Sequence, residues 1–201
     1  MRRRGSVTFP FRINGEFENH PHLNQNQEEG CNALVVMKKK TLRIAYAAII
    51  AALYVALTLV SELFGMASGM IQFRLSEALT VLPFFTAAAI PGLSIGCLLA
   101  NLLTGSAADA LFGTLATLLG AIGTFLLARI PFCKKKGALL CTLPPIIFNI
   151  LIIPPVLKYA YGMSAGLLFL ACTVAIGEIV CCGLLGGILL HSLRRSLPLS
   201  E

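Results

Sequence analysis

From position 41 to position 191 the chain is a run of apolar blocks too long and too sparsely charged for a water-soluble domain. Short basic clusters separate them: Lys38-Lys39-Lys40 before the first block, Lys134-Lys135-Lys136 between the fourth and fifth, and Arg194-Arg195 after the last. Lipid offers the backbone no hydrogen-bond partner, so each block has to satisfy its own peptide groups. About 20 apolar residues do that as a crossing helix. Composition agrees, with 57% hydrophobic and only 12% charged residues against about a quarter charged in soluble domains. The expected fold class is an all-α integral membrane protein, a bundle of six helices whose second and third members are short.

The blocks fall at 42–64, 76–89, 92–103, 107–130, 138–156 and 164–191, giving a membrane domain over 37–201. Pro83 interrupts the second, Pro91-Gly92 opens the third, and Pro144-Pro145 and Pro154-Pro155 lie in the fifth. Residues 1–36 differ from everything after them. They are rich in Asn and Gln, carry Arg2-Arg3-Arg4, and have neither an apolar signal region nor a periodic apolar face. The expectation for 1–36 is a disordered segment, or an extension upstream of a start at Met37-Lys38-Lys39-Lys40.

Basic residues flanking apolar blocks set orientation rather than bind a phosphate backbone, and no aromatic residues accompany them for base stacking. Nucleic-acid binding is excluded on that ground, despite the net charge of +7. If Lys38–Lys40 is cytoplasmic, six crossings put all three clusters and both termini inside. A re-entrant hairpin of segments two and three would keep the same parity with four crossings. The expected location is a bacterial plasma membrane, spanned several times.

Ionisable residues within lipid-facing stretches are costly, about 2.5–3.5 kcal/mol each on insertion scales, and are usually functional. The stretch 70–109 carries Arg74 and Glu77 at one end and Asn101 and Asp109 at the other. Local explanations exist for some of these. Ser76 is suited to N-cap the second segment, with Glu77 at its positive end and Arg74 paired to Glu77 at i,i+3. Ser106 and Asp109 match a capping box. The alternative is a ligand site built from the same groups. Glu178 admits no such local account, since it lies mid-span with no cation at i±3 or i±4. Asn149, also mid-span, suits either a ligand or a helix–helix hydrogen bond. On the proposed topology these groups form one outward-opening polar pocket.

Ala48, Ala52 and Ala56 recur at i, i+4, i+8 and would let another helix approach closely, within the chain or from a partner. The seven cysteines show no C-x-x-C spacing, so no metal site is expected, and no cofactor. There is no nucleotide-binding P-loop, no H-E-x-x-H and no G-x-S-x-G, so neither ATP hydrolysis by this chain nor enzymatic catalysis is expected.

The run IQFRLSEALTVLPFF, followed by AAIPGLSIGCLLANLL and DALFGTLATLLGA, resembles the QueT family of queuosine-precursor transporters over roughly residues 38–195. That family is similar to the substrate-binding S-components of energy-coupling factor (ECF) importers. The resemblance implies a six-helix S-component that binds its substrate outside and topples to release it. It implies a coupling transmembrane subunit that meets Ala48, Ala52 and Ala56, and separate ATPase subunits. The implied substrate is a 7-deazaguanine base. One carboxylate would accept its N1–H and exocyclic amine, and a second would balance an aminomethyl cation. Glu77 and Glu178 suit these roles in either order, with Arg74 or Asn149 donating to the carbonyl oxygen. An S-component for another vitamin, or a structural membrane protein whose polar groups only fasten helices, are the alternatives.

Overall fold

A computed structural model of the chain describes residues 25–66, 73–104, 107–135 and 137–196. Every regular element among them is helical. In chain order they are α1 (Gln25–Leu63), a 3₁₀ helix (Leu75–Phe84), α2 (Ala89–Leu103), α3 (Ala107–Leu127) and the short α4 (Pro131–Lys135). A 3₁₀ turn (Ala138–Thr142) then leads into α5 (Leu143–Tyr159). The last block is α6 (Leu167–Glu178), a π-helical stretch (Ile179–Leu185) and α7 (Gly186–Ser196).

The chain divides into two compact units, 1–39 and 40–201. Of the first, only the helical backbone from Gln25 and the side chains from Val35 are described. The expectation for 1–36 therefore falls largely outside the described residues. Every element after α1 belongs to the second unit.

Among the described residues, four segments are long and apolar enough to cross a membrane: Val35–Leu63, Ala107–Leu127, Ala138–Tyr159 and Leu167–Ser196. Leu75–Phe84 and Ala89–Leu103 are apolar but shorter. Ten residues at the 3₁₀ rise and fifteen at the α rise each reach about 20 Å, against about 30 Å of hydrocarbon. The expected six segments thus resolve into four of spanning length and two that are not.

Two close approaches fix how the helices meet. A Cβ at Gly92 would stand 2.7 Å from the Ala47 carbonyl oxygen, and one at Gly96 would stand 2.8 Å from Tyr54 Cβ. Only glycine at both positions lets α2 lie against α1 at this distance. The seam on α1 runs Ala47, Ala51, Tyr54, Thr58, Ser61, spacings of four and three that keep one helix face inward. A buried apolar cluster seals the contact with Ile50, Tyr54, Leu93, Cys97 and Ala100. The α3–α5 crossing is equally tight, with Gly120 and Gly123 set against Pro145 and Pro144. A second cluster, including Val81, Phe84, Cys141 and Leu190, packs the 3₁₀ helix against α7 and the Ala138–Thr142 turn. Outside these contacts large apolar side chains such as Ile44, Leu111, Leu151 and Leu168 are exposed, as a surface facing lipid rather than water requires.

Candidate ligand-binding site

A small polar cavity lies between the start of the 3₁₀ helix and residues of α3, α5 and α6. Arg74 and Glu77 arrive from that helix start, Gly113 and Thr117 from α3, Asn149 and Ile153 from α5, and Val174 and Glu178 from α6. Together they line one cavity of about 10 Å³, room for about one water molecule.

Arg74 is the N-cap of the 3₁₀ helix, with φ −102° and ψ 103°. That extended backbone carries its side chain away from the turn that follows. The expected i,i+3 pair with Glu77 therefore does not form. Instead the Arg74 guanidinium donates to Asp109 Oδ2 at 2.9 Å and to Asn101 Oδ1 at 3.3 Å. Asn101 is itself held by donating to the Asp109 carbonyl oxygen at 2.9 Å. Burial works against the Arg74 charge, but the Asp109 carboxylate beside it more than offsets this and holds the guanidinium above its ordinary pKa. Gly113 makes room for this clamp, since a Cβ there would lie 3.2 Å from Asn101 Nδ2.

Ser76 does not cap the helix either, because the helix begins one residue earlier. Its hydroxyl accepts from Thr58 at 2.8 Å. Glu77, 3% exposed, accepts from the Tyr54 hydroxyl through Oε1 at 2.5 Å. The capping box expected from Ser106 lies outside the described residues; Asp109 accepts from Arg74.

Glu178 is the last residue of α6, at the point where the backbone widens into the π-helical stretch. Such insertions are common at functional sites. The stretch is anchored by Cys182, whose Sγ lies 3.2 Å from Thr80 Oγ1 and donates to the Thr142 carbonyl at 3.5 Å.

Of the six polar residues singled out in the sequence, Arg74, Glu77, Asn149 and Glu178 line the cavity. Asn101 and Asp109 stand behind Arg74 and fix it. Each of these four keeps one buried polar atom without a hydrogen-bond partner, Arg74 Nε, Glu77 Oε2, Asn149 Nδ2 and Glu178 Oε2, as do Asp109 and Thr114 away from the lining. Two donors and two acceptors thus sit on residues around one space. A buried polar atom left unpaired costs about 1–3 kcal/mol, so these four residues carry hydrogen-bonding capacity that the fold itself leaves unused. Ala48, Ala52 and Ala56 lie elsewhere. They form an exposed row on α1, beside the inward seam rather than on it.

Sequence reasoning missed Tyr54, Thr58, Gly113 and Thr117. The first two were detectable as hydroxyl residues four apart inside an apolar span. Gly113 and Thr117 had no signal apart from their i,i+4 spacing on α3.

A protein-family model described as QueT transporter matches residues 44–195. The chain belongs to the QueT transporter family. QueT is described as a family of transporters, not of enzymes. The chain is also 43% identical over 81 residues to a protein named Queuosine precursor transporter QueT from Lactococcus lactis subsp. cremoris (strain MG1363). That match covers 40% of this chain and 48% of the relative, about half its length. No solved structure matches. The QueT match includes the 3₁₀ helix, every residue lining the cavity and the exposed alanine row.

Proposed function

We propose that this chain is the substrate-binding S-component of an ECF importer, taking up a queuosine precursor of the 7-deazaguanine type. The observation that carries this reading is the cavity, with two carboxyl groups, one guanidinium and one carboxamide each offering an unpaired atom. A 7-deazaguanine base offers the matching set. Its N1–H and 2-amino group donate to one carboxylate, and its carbonyl oxygen accepts from Arg74 or Asn149. A 7-aminomethyl cation would then meet the second carboxylate. Asp109 already neutralises Arg74, so neither glutamate is taken up by that guanidinium, and one aminomethyl charge balances one of the two.

A cavity of about 10 Å³ is far smaller than a bicyclic base, so loading has to part the 3₁₀ helix, α3, α5 and α6. The π-helical stretch beside Glu178 is suited to that movement, because a widened turn can tighten without breaking the helix. In the proposed orientation both termini are cytoplasmic and the cavity opens outward. The exposed row of Ala48, Ala52 and Ala56 meets the coupling transmembrane subunit, and separate ATPase subunits supply the energy.

The test is the identity of the small molecule that co-purifies with the protein, read by mass spectrometry. A 7-deazaguanine base at near-equal stoichiometry is the expected result. A different vitamin would keep the S-component reading but replace the substrate. The absence of any ligand, together with no binding of an added base, would favour a structural role for the buried polar groups.

A further inference from the structure

Three consecutive residues at the start of the 3₁₀ helix are each tied to one residue of α1. The Leu75 N–H donates to Ser61 Oγ at 3.0 Å, the Thr58 hydroxyl donates to Ser76 Oγ at 2.8 Å, and the Tyr54 hydroxyl donates to Glu77 Oε1 at 2.5 Å. Only the last of these bonds ends on a side chain that lines the cavity. Glu77 therefore divides its two oxygens. Oε1 is committed to Tyr54, and Oε2 is buried without a partner.

A carboxyl group turns readily about its terminal bond, where the torsional preference is broad. Left alone, Glu77 would present either oxygen, or neither, to the cavity. Tyr54 removes that freedom because it cannot move with it. The residue is 1% exposed, its Cβ is closed in by Gly96 of α2, and its ring sits in the cluster with Leu93, Cys97 and Ala100. A rigid donor at one oxygen fixes the direction of the other.

We infer that Tyr54 is a positioning residue for ligand recognition: its hydroxyl occupies one oxygen of Glu77 and so directs the second at the bound ligand. Tyr54 lines no part of the cavity and acts through the carboxyl group alone. The arrangement also makes α1 a shared element. Its inner face aims a ligand-facing carboxyl group, while the alanine row on the same helix is exposed. The inference rests on the cavity being the ligand site, as proposed for the chain's function.

Tyr54→Phe keeps the ring and its packing and removes only the hydroxyl. Ser61→Ala is the matched control, since it removes another bond of the same clasp without touching Glu77. Two measurements are made on each purified full-length variant. The first is the infrared band of the Glu77 carboxyl group, identified as the band lost in Glu77→Gln. It is expected to shift in Tyr54→Phe and to stay in place in Ser61→Ala. This readout needs no ligand, so it stands whether or not the proposed substrate is correct. The second is affinity for a 7-aminomethyl-7-deazaguanine base. A loss of about tenfold or more is expected in Tyr54→Phe, as for a hydrogen bond to a charged group, and less than twofold in Ser61→Ala. If wild-type protein does not bind the base, the proposed substrate is wrong and the infrared result alone decides the inference. An unmoved band in Tyr54→Phe, wild-type affinity in that variant, or equal losses in both variants would overturn it.

Discussion

Arg74 has its position set by a carboxyl group 35 residues further along the chain. The Arg74–Asp109 pair is nearly enclosed, with side-chain exposures of 13% and 8%. Removing one partner of such a pair leaves the other charge uncompensated, which costs more than the pair itself contributes. Asp109→Asn keeps the shape and removes the countercharge. It is expected to lower stability by about 1–3 kcal/mol, less than for a fully buried pair, and thermal unfolding in detergent would register this as a lower melting temperature. An unchanged transition would mean that Asn101 alone suffices to hold the guanidinium. The sequence makes Glu178 legible because nothing within four residues could explain a mid-span carboxyl group. It hides the partners of Arg74, because these depend on a backbone torsion at the N-cap that no spacing rule encodes. Tyr54 is legible only as one of a row of hydroxyl residues, since a tyrosine in an apolar span reads as packing until its hydroxyl is seen to have a partner.

Two rows of small residues, on α1 and on α2, make opposite predictions about what they touch. Gly92 and Gly96 face inward against the α1 backbone, whereas Ala48, Ala52 and Ala56 are exposed. Gly96→Ala forces a methyl group to 2.8 Å from Tyr54 Cβ and 2.9 Å from the Ala51 carbonyl oxygen. It is expected to destabilise the fold by about 1–3 kcal/mol, as overpacking does, with lower yield of folded protein as the measurement. Ala48→Leu combined with Ala52→Leu should leave folding and ligand binding intact while abolishing uptake in cells, because only a partner would be crowded. Loss of binding in that double variant would place the alanine row inside the fold. The four- and three-residue spacing that separates the two α1 faces is readable in the sequence. Which face turns inward is not, because it is decided by distant glycines on α2. The π-helical stretch in the last segment is invisible to hydropathy, which sees only an unbroken apolar run.

Across the whole molecule, the proposed orientation rests on the basic clusters and on helix parity. Single cysteines at Phe64 and Lys135, in a cysteine-free background, are expected to differ towards a membrane-impermeant reagent in intact cells. Position 64 should be labelled and position 135 spared, and the reverse pattern would turn the cavity towards the cytoplasm. Every functional assignment depends on the cavity being the substrate site, and the sharpest check is calorimetric titration of the purified chain with a 7-aminomethyl-7-deazaguanine base. Wild-type protein should bind one equivalent without ATP or any partner subunit. Glu178→Gln replaces an unpaired acceptor with a donor at nearly constant size. Losing a hydrogen bond to a charged group while stranding a buried donor costs roughly 1.5–3 kcal/mol, so affinity should fall about ten- to a hundredfold with expression near wild type. Equal affinity in the two proteins would refute that role for the cavity and reduce Glu178 to a structural residue.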